Sequence, residues 1–267
     1  RSLFEKLANI DEIGAAKKPR NLKAKLRPYQ EQGLSWLKFI HDIGAGGVLA
    51  DDMGLGKTLQ AIALFLLVKA EAKRLSALVV APTSVVHNWA REIQRFGPSL
   101  SVTVWHGADR KEQIDELSKA DVIITSYALL RRDVDILRGL DLTYCLLDEA
   151  QQIKNPMSAT AQAAKRIPAE RRLALTGTPI ENRLSEIWSI FDFVSPNLLG
   201  PLDKFEETFS RPIDQGDSKA AARLRAIIHP FILRRTKLEV ARDLPEKIED
   251  DRICELMGEQ KALYAQV

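Results

Sequence analysis

Short, nearly uninterrupted apolar runs alternate with amphipathic ones through the centre of the chain, and this alternation leaves few folds open. The runs Gly47–Ala50, Ala77–Ala81, Ser101–Trp105, Asp121–Thr125, Thr143–Leu147 and Arg172–Thr176 are rich in Val, Ile, Leu and Ala. They do not alternate with polar residues, which is the pattern of parallel strands buried on both faces beneath helices. Between them, Lys57–Ala70, Val85–Phe96, Arg110–Ala120 and Ser158–Ile167 carry helical periodicity. Right-handed crossovers then build a three-layer α/β domain on a mostly parallel sheet, with ligands expected at the carboxyl ends of its strands. After about Arg183 the strands are expected to cease. Ser185–Val194, Leu202–Phe209 and Lys219–Ile228 predict a helical insertion, broken by Pro196, Pro201 and Pro212.

Composition excludes several classes. The longest apolar run, Ala61–Val68, is far too short for a membrane span. The two cysteines, Cys145 and Cys254, make neither a metal cluster nor a disulfide framework, which favours a reducing, intracellular setting. Cys145 lies in an apolar run and reads as a small buried thiol. A net charge of +3 does not by itself demand a nucleic-acid partner. The basic stretch from Lys17 to Arg27 could meet phosphates, but a solvated arm is the commoner explanation.

Asp51–Thr58, DDMGLGKT, follows one predicted strand and opens a predicted helix, the context a phosphate-binding loop requires. Gly54 and Gly56 let backbone N–H groups converge on a shared concavity, and the helix N-terminus adds partial positive charge. Lys57 is placed to neutralise β- and γ-phosphates, and Thr58 to offer its hydroxyl to Mg²⁺. The pattern departs from the usual one where Asp51 replaces glycine. Further on, YCLLDEAQ ends an apolar strand in Asp148-Glu149. A carboxylate at the end of a buried strand suits the second side of Mg²⁺, partly through water, which points to Asp148. Glu149 is then the group that orients and polarises the attacking water. Trp89 and Trp188 sit in amphipathic helices and read as core. Arg131 and Arg132 fit a nucleic-acid contact or a polar helix face equally.

Together these segments resemble the SWI/SNF-type ATPases of helicase superfamily 2, in the N-terminal RecA-like lobe, with a leaning toward prokaryotic members from the ADD before MGLGKT. LRPYQEQGLSWL (26–37) resembles the motif whose glutamine, here Gln30, reads adenine; a side-chain amide donates and accepts at once. DDMGLGKTLQ resembles motif I, so Asp51, Asp52, Met53, Gly54, Leu55, Gly56, Lys57 and Thr58 are expected around ATP. VVAPTSVVHNWARE (79–92) and ITSYALLRRD (124–133) resemble strand-contacting motifs, which implies DNA contacts at Thr83, Ser84, Ser126 and Arg131. LLDEAQQIKN (146–155) resembles motif II, with Asp148, Glu149, Ala150 and Gln151 as its DEAQ box. LALTGTPIENRL (173–184) resembles the coupling motif, with Thr176, Gly177 and Thr178. FDFVSPNLLG (191–200) and HPFILRRTK (229–237) resemble the segments around the subgroup's helical protrusion.

The resemblance implies a DNA-dependent ATPase that translocates on double-stranded DNA, using ATP and Mg²⁺, in the cytoplasm or nucleoid if prokaryotic. It divides the chain into a flanking segment (1–21), the ATP-binding lobe (22–195), a helical protrusion and return segment (196–237), and a linker with the start of a second RecA-like lobe (238–267). That second lobe supplies an arginine at the γ-phosphate. The chain alone is therefore expected to bind Mg²⁺-ATP and hydrolyse it poorly. Arg234 and Arg235 fall in the inter-lobe segment and are not read as that arginine. A binding module that holds nucleotide or a protein partner and never hydrolyses is the rival reading; it has no need of Glu149.

Overall fold

The computed structural model describes residues 13–177 and 184–240. Thr178 and Cys254 lie outside the described residues. Seven strands form one sheet in the order β3-β4-β2-β5-β6-β1-β7, and every pairing is parallel. They are β1 (Gly47–Leu49), β2 (Ala77–Ala81), β3 (Val102–Trp105), β4 (Val122–Ser126), β5 (Tyr144–Leu147), β6 (Arg171–Leu175) and β7 (Ile232–Leu233). Every residue of β1, β2, β4 and β5 is buried. Neighbouring residues of a strand point to opposite faces, so both faces are covered and the domain has three layers.

The helices that matter for the site are α1 (Pro28–Asp42), α2 (Lys57–Ala72), α3 (Val86–Phe96), α4 (Tyr127–Arg132), α5 (Ala159–Lys165), α6 (Leu184–Val194) and α7 (Ser218–Ile228). Pro28 opens α1, where its missing N–H costs nothing. Gln30 caps the same end, its Oε1 accepting the Arg27 N–H at 3.0 Å. α2 is buried without a break from Gln60 to Val68, which accounts for the longest apolar run of the chain: this helix is hydrophobic all round because protein surrounds it.

Three expectations need correction. Strands do not cease at Arg183, because Ile232-Leu233 joins the sheet edge beside β1, Val48 opposite Ile232 and Leu49 opposite Leu233. Two residues are too few to show periodicity. The helix expected over Arg110–Ala120 is instead a 3-10 turn, Asp109–Gln113, followed by the single helical turn Ile114–Leu117. Arg110 is drawn inward, its Nε 2.6 Å from Asp133 Oδ2, both side chains about 5% exposed. The helix expected over Leu202–Phe209 gives way after Phe205 to a π-turn, Glu206–Ser210. Phe205 and Phe209 join Trp188 and Leu224 in a small core separate from the main one.

Candidate functional site

Because all strands are parallel, the loops that leave them gather along one edge of the sheet. Read across that edge, they follow β4 at Ser126, β2 at Thr83, β5 at Asp148, β6 at Thr176, β1 at the Asp51–Thr58 loop, and β7 at Arg235. Five of the six loops were expected at the site from the sequence; the topology makes all six neighbours.

In the loop after β1, Gly54 and Gly56 take φ of +86° and +79°, a left-handed backbone that favours glycine. Gly56 is also pressed by a neighbour: a Cβ there would stand 2.5 Å from Gln30 Nε2. That amide donates to the Leu55 carbonyl at 3.2 Å, so Gln30 rests against the phosphate loop with both ends of its amide engaged. The Lys57 ammonium folds back to donate to the carbonyls of Asp51 at 2.7 Å and Asp52 at 3.3 Å. Partial burial pulls its pKa below the ordinary lysine value, opposed by the charges of Glu149, Asp51, Asp148 and Asp52 in that order. Thr58 stands beside Lys57 in the first turn of α2. Met53 is exposed. Gly177, at the end of β6, lies against both: a Cβ there would meet Met53 Cγ at 2.6 Å and Lys57 Nζ at 3.5 Å.

Asp148 ends β5 in a socket of donors. Trp89 Nε1–H donates to its Oδ2 at 2.7 Å, the Glu149 N–H to its Oδ1 at 3.0 Å, and the Tyr127 hydroxyl to its carbonyl at 2.8 Å. Burial raises the Asp148 pKa above the usual carboxylate value, and the Trp89 bond works against that. Glu149 has φ +52° and ψ +56°, a left-handed conformation that costs a non-glycine residue about 1–2 kcal/mol. Its Oε2 accepts the Gln151 amide at 2.8 Å, and the Gln151 Oε1 accepts the Thr176 hydroxyl at 3.1 Å. A chain of hydrogen bonds thus runs from the end of β6 to Glu149. Ala150 is fully buried beneath it.

Thr83, Ser84 and Arg131 are exposed. Thr83 and Arg131 meet in an open depression that Tyr127 and Gln152 also line. Ser126 differs. It is 2% exposed and its Oγ caps α4 by accepting the Leu129 N–H.

Three residues of the site escaped the sequence reading in their roles. Trp89 is core, as expected, yet its N–H ends on Asp148. Tyr127 passed unremarked within its motif. Arg235 closes the loop's far side, with Nε 3.0 Å from Asp51 Oδ1 and Nη2 2.5 Å from Asp51 Oδ2. It also donates to Gln60 Oε1 at 3.0 Å and to the Tyr29 carbonyl. The one signal for Arg235 was the unexpected Asp51, a buried carboxylate that required a cation.

Residues 29–267 match the family model described as the SNF2-related domain. The chain belongs to the SNF2-related family. Among curated relatives of this SNF2-related chain, the Bacillus subtilis ATP-dependent helicase/translocase YwqA is 43% identical over 274 residues, covering 100% of this chain and 30% of that one. The Saccharomyces cerevisiae TATA-binding protein-associated factor MOT1 is 38% identical over 290 residues, covering 99% of this chain and 16% of that protein. Among solved structures, the Sulfolobus solfataricus SWI2/SNF2 ATPase core in complex with double-stranded DNA is 47% identical with a TM-score of 0.82, covering 94% of this chain and 53% of that one. The SNF2-related chain thus spans less than a third of the length of these two curated relatives, and about half of the solved core. Among its described residues no helix is long and apolar enough to cross a membrane.

Proposed function

We propose that this chain is the ATP-binding lobe of a DNA-dependent ATPase that moves along double-stranded DNA. The observation that carries the proposal is the meeting of three adjacent strand ends: Lys57 after β1, Gly177 after β6 and Asp148-Glu149 after β5. ATP lies along the Asp51–Thr58 loop, its adenine toward Gln30. Lys57 exchanges the carbonyls of Asp51 and Asp52 for phosphate oxygens, which suit its charge better. Gln30 exchanges Leu55 and Arg27 for the adenine edge.

The described residues hold no cluster of three or more His, Cys, Asp or Glu side chains fit to cage a metal. Mg²⁺ is commonly held by one or two protein oxygens together with phosphates and water. The Thr58 hydroxyl and the Asp148 carboxylate are hard oxygen donors of the right kind, and the ion supplies charge neutralisation at the phosphates. Glu149, held by Gln151, accepts a proton from the attacking water. Thr176 reaches Glu149 through Gln151, so movement of the β6 loop reorients the base.

The duplex backbone runs over Thr83, Ser84 and Arg131, with Ser126 setting the direction of α4. The remainder of the intact protein supplies a second RecA-like lobe whose arginine meets the γ-phosphate. Support comes from the solved relative, in which a comparable length of chain lies beyond the match. In phosphate-loop enzymes such an arginine is worth roughly 10³–10⁵ in rate. The dividing points proposed for the chain are those near residues 21, 195 and 237.

The test is steady-state ATP hydrolysis by residues 1–267 and by the intact protein, each with and without duplex DNA. The intact protein hydrolyses ATP with DNA stimulation, the chain alone very slowly. Glu149→Gln in the intact protein abolishes turnover and leaves ATP binding in place. Full turnover in that variant would remove Glu149 from the reaction, and strong stimulation of the lone chain would remove the second lobe.

A further inference from the structure

Asp148 occupies the strand end between the two halves of the functional edge, with β2 on one side of β5 and β6 on the other. Both aromatic donors that hold it come from the DNA-facing half. Trp89 belongs to α3, the helix entered from the Thr83–Val85 turn. Tyr127 is the first residue of α4, the helix that carries Arg131 one turn later. Helical spacing of four places Tyr127 and Arg131 on one face, and both line the depression that Thr83 shares.

We propose that Trp89 and Tyr127 are positioning residues that carry duplex engagement to Asp148, and so set the DNA stimulation of ATP hydrolysis. This rests on the reading of the β2 and β4 loops as the duplex-contacting surface. Packing alone does not ask for these side chains. Trp89 is 1% exposed, and a phenyl ring would fill most of the same space. What the indole adds is an N–H, which in a buried place must find an acceptor, and here the acceptor is the carboxylate assigned to the metal side. Tyr127 touches both ends of the route at once: it is one of the residues lining the depression, and its hydroxyl donates to the Asp148 carbonyl. A phosphate seated between Thr83 and Arg131 fixes α3 and α4 relative to β5. The short, charge-assisted bond from Trp89 then holds the carboxylate in one orientation. Without the duplex, both helices can shift by small amounts and the carboxylate with them.

The experiment uses the intact protein with Trp89→Phe, Tyr127→Phe and the double variant. The turnover rate at saturating duplex divided by the rate without duplex is measured for each, alongside duplex affinity at fixed salt. Each single variant should lower that ratio by at least about fivefold, the lower end of ordinary coupling between sites, with affinity changed less than twofold. The double variant should lose less than the product of the two singles, because both act on one residue. Equal loss of both rates, which leaves the ratio intact, marks a structural role and overturns the proposal. So does loss of duplex affinity that accounts for the whole effect. Tyr127→Phe removes a single oxygen, so it decides the matter even if the Trp89 variant fails to fold. A wild-type protein with no stimulation at all would overturn the DNA reading, whereas a stimulated wild type with unaltered variants overturns only this inference.

Discussion

Asp51 and Arg235 lie 184 residues apart in the chain and meet in a two-pronged ion pair at the head of the phosphate loop. The Asp51 side chain is fully buried and that of Arg235 is 11% exposed. Asp51 takes the position where phosphate loops ordinarily carry glycine, and here it fastens the segment after β7 to the nucleotide site. Two backbone bonds follow the same seam: the Asp52 N–H donates to the Arg235 carbonyl at 3.0 Å, and the Lys237 N–H to Asp52 Oδ2 at 2.9 Å.

Removing one member of this pair leaves a buried charge without its partner. Asp51→Gly should therefore destabilise the protein by about 3 kcal/mol, although it restores the commoner loop residue. Asp51→Gly with Arg235→Met should recover much of that loss. Urea unfolding of the single and double variants checks this. A single variant as stable as wild type would mean that the pair contributes nothing.

Lys57→Ala should weaken ATP binding about ten- to a hundredfold more than adenosine binding, the usual worth of a charged hydrogen bond. The ammonium lies on the loop carbonyls, not beside Gln30. Calorimetric titration with both ligands gives the comparison, and an equal loss for the two would misplace the phosphates.

Burial pushes the Cys145 thiol up to about 12 from an ordinary 9.0, and raises Tyr144 and Tyr127 in the same direction. A folded pKa above the unfolded one means that folding favours the protonated form. The stability it contributes is whole below pH 9 and drains away as pH rises toward 12. The urea midpoint should fall between about pH 9 and about pH 12. Cys145→Ala should flatten part of that slope, the two tyrosines keeping the rest. Parallel slopes in wild type and variant would show that the thiol is not the titrating group.

Duplex binding should fade steeply with salt and show little sequence preference, since backbone phosphates dominate such contacts. Arg131→Ala should lower affinity for all sequences alike and reduce the slope of log affinity against log salt by about 1. Fluorescence anisotropy with several duplexes measures both, and an unchanged slope would take Arg131 off the backbone.

By itself the sequence determined six of the seven strands of the described sheet and the motifs of its central loops. Strands buried on both faces must be apolar throughout, so β2, β4 and β5 announce themselves within a few residues. A phosphate loop needs its glycines, lysine and hydroxyl at short spacing, so Gly54–Thr58 is legible as one local word. Only the tertiary structure decided which distant groups these loops lean on. Helical periodicity rightly buries Trp89, but it carries no information on where the indole N–H points, and Asp148 is 59 residues away. Arg235 sits in a basic segment read only as lying between the lobes, until β7 pairs with β1 and brings it onto Asp51. Arg110 belongs to a helical pattern that its ion pair with Asp133 breaks. In each case the side chain's partner is a product of chain crossing. Local spacing encodes which face of an element is apolar, whereas the direction of one polar bond depends on what the fold sets opposite.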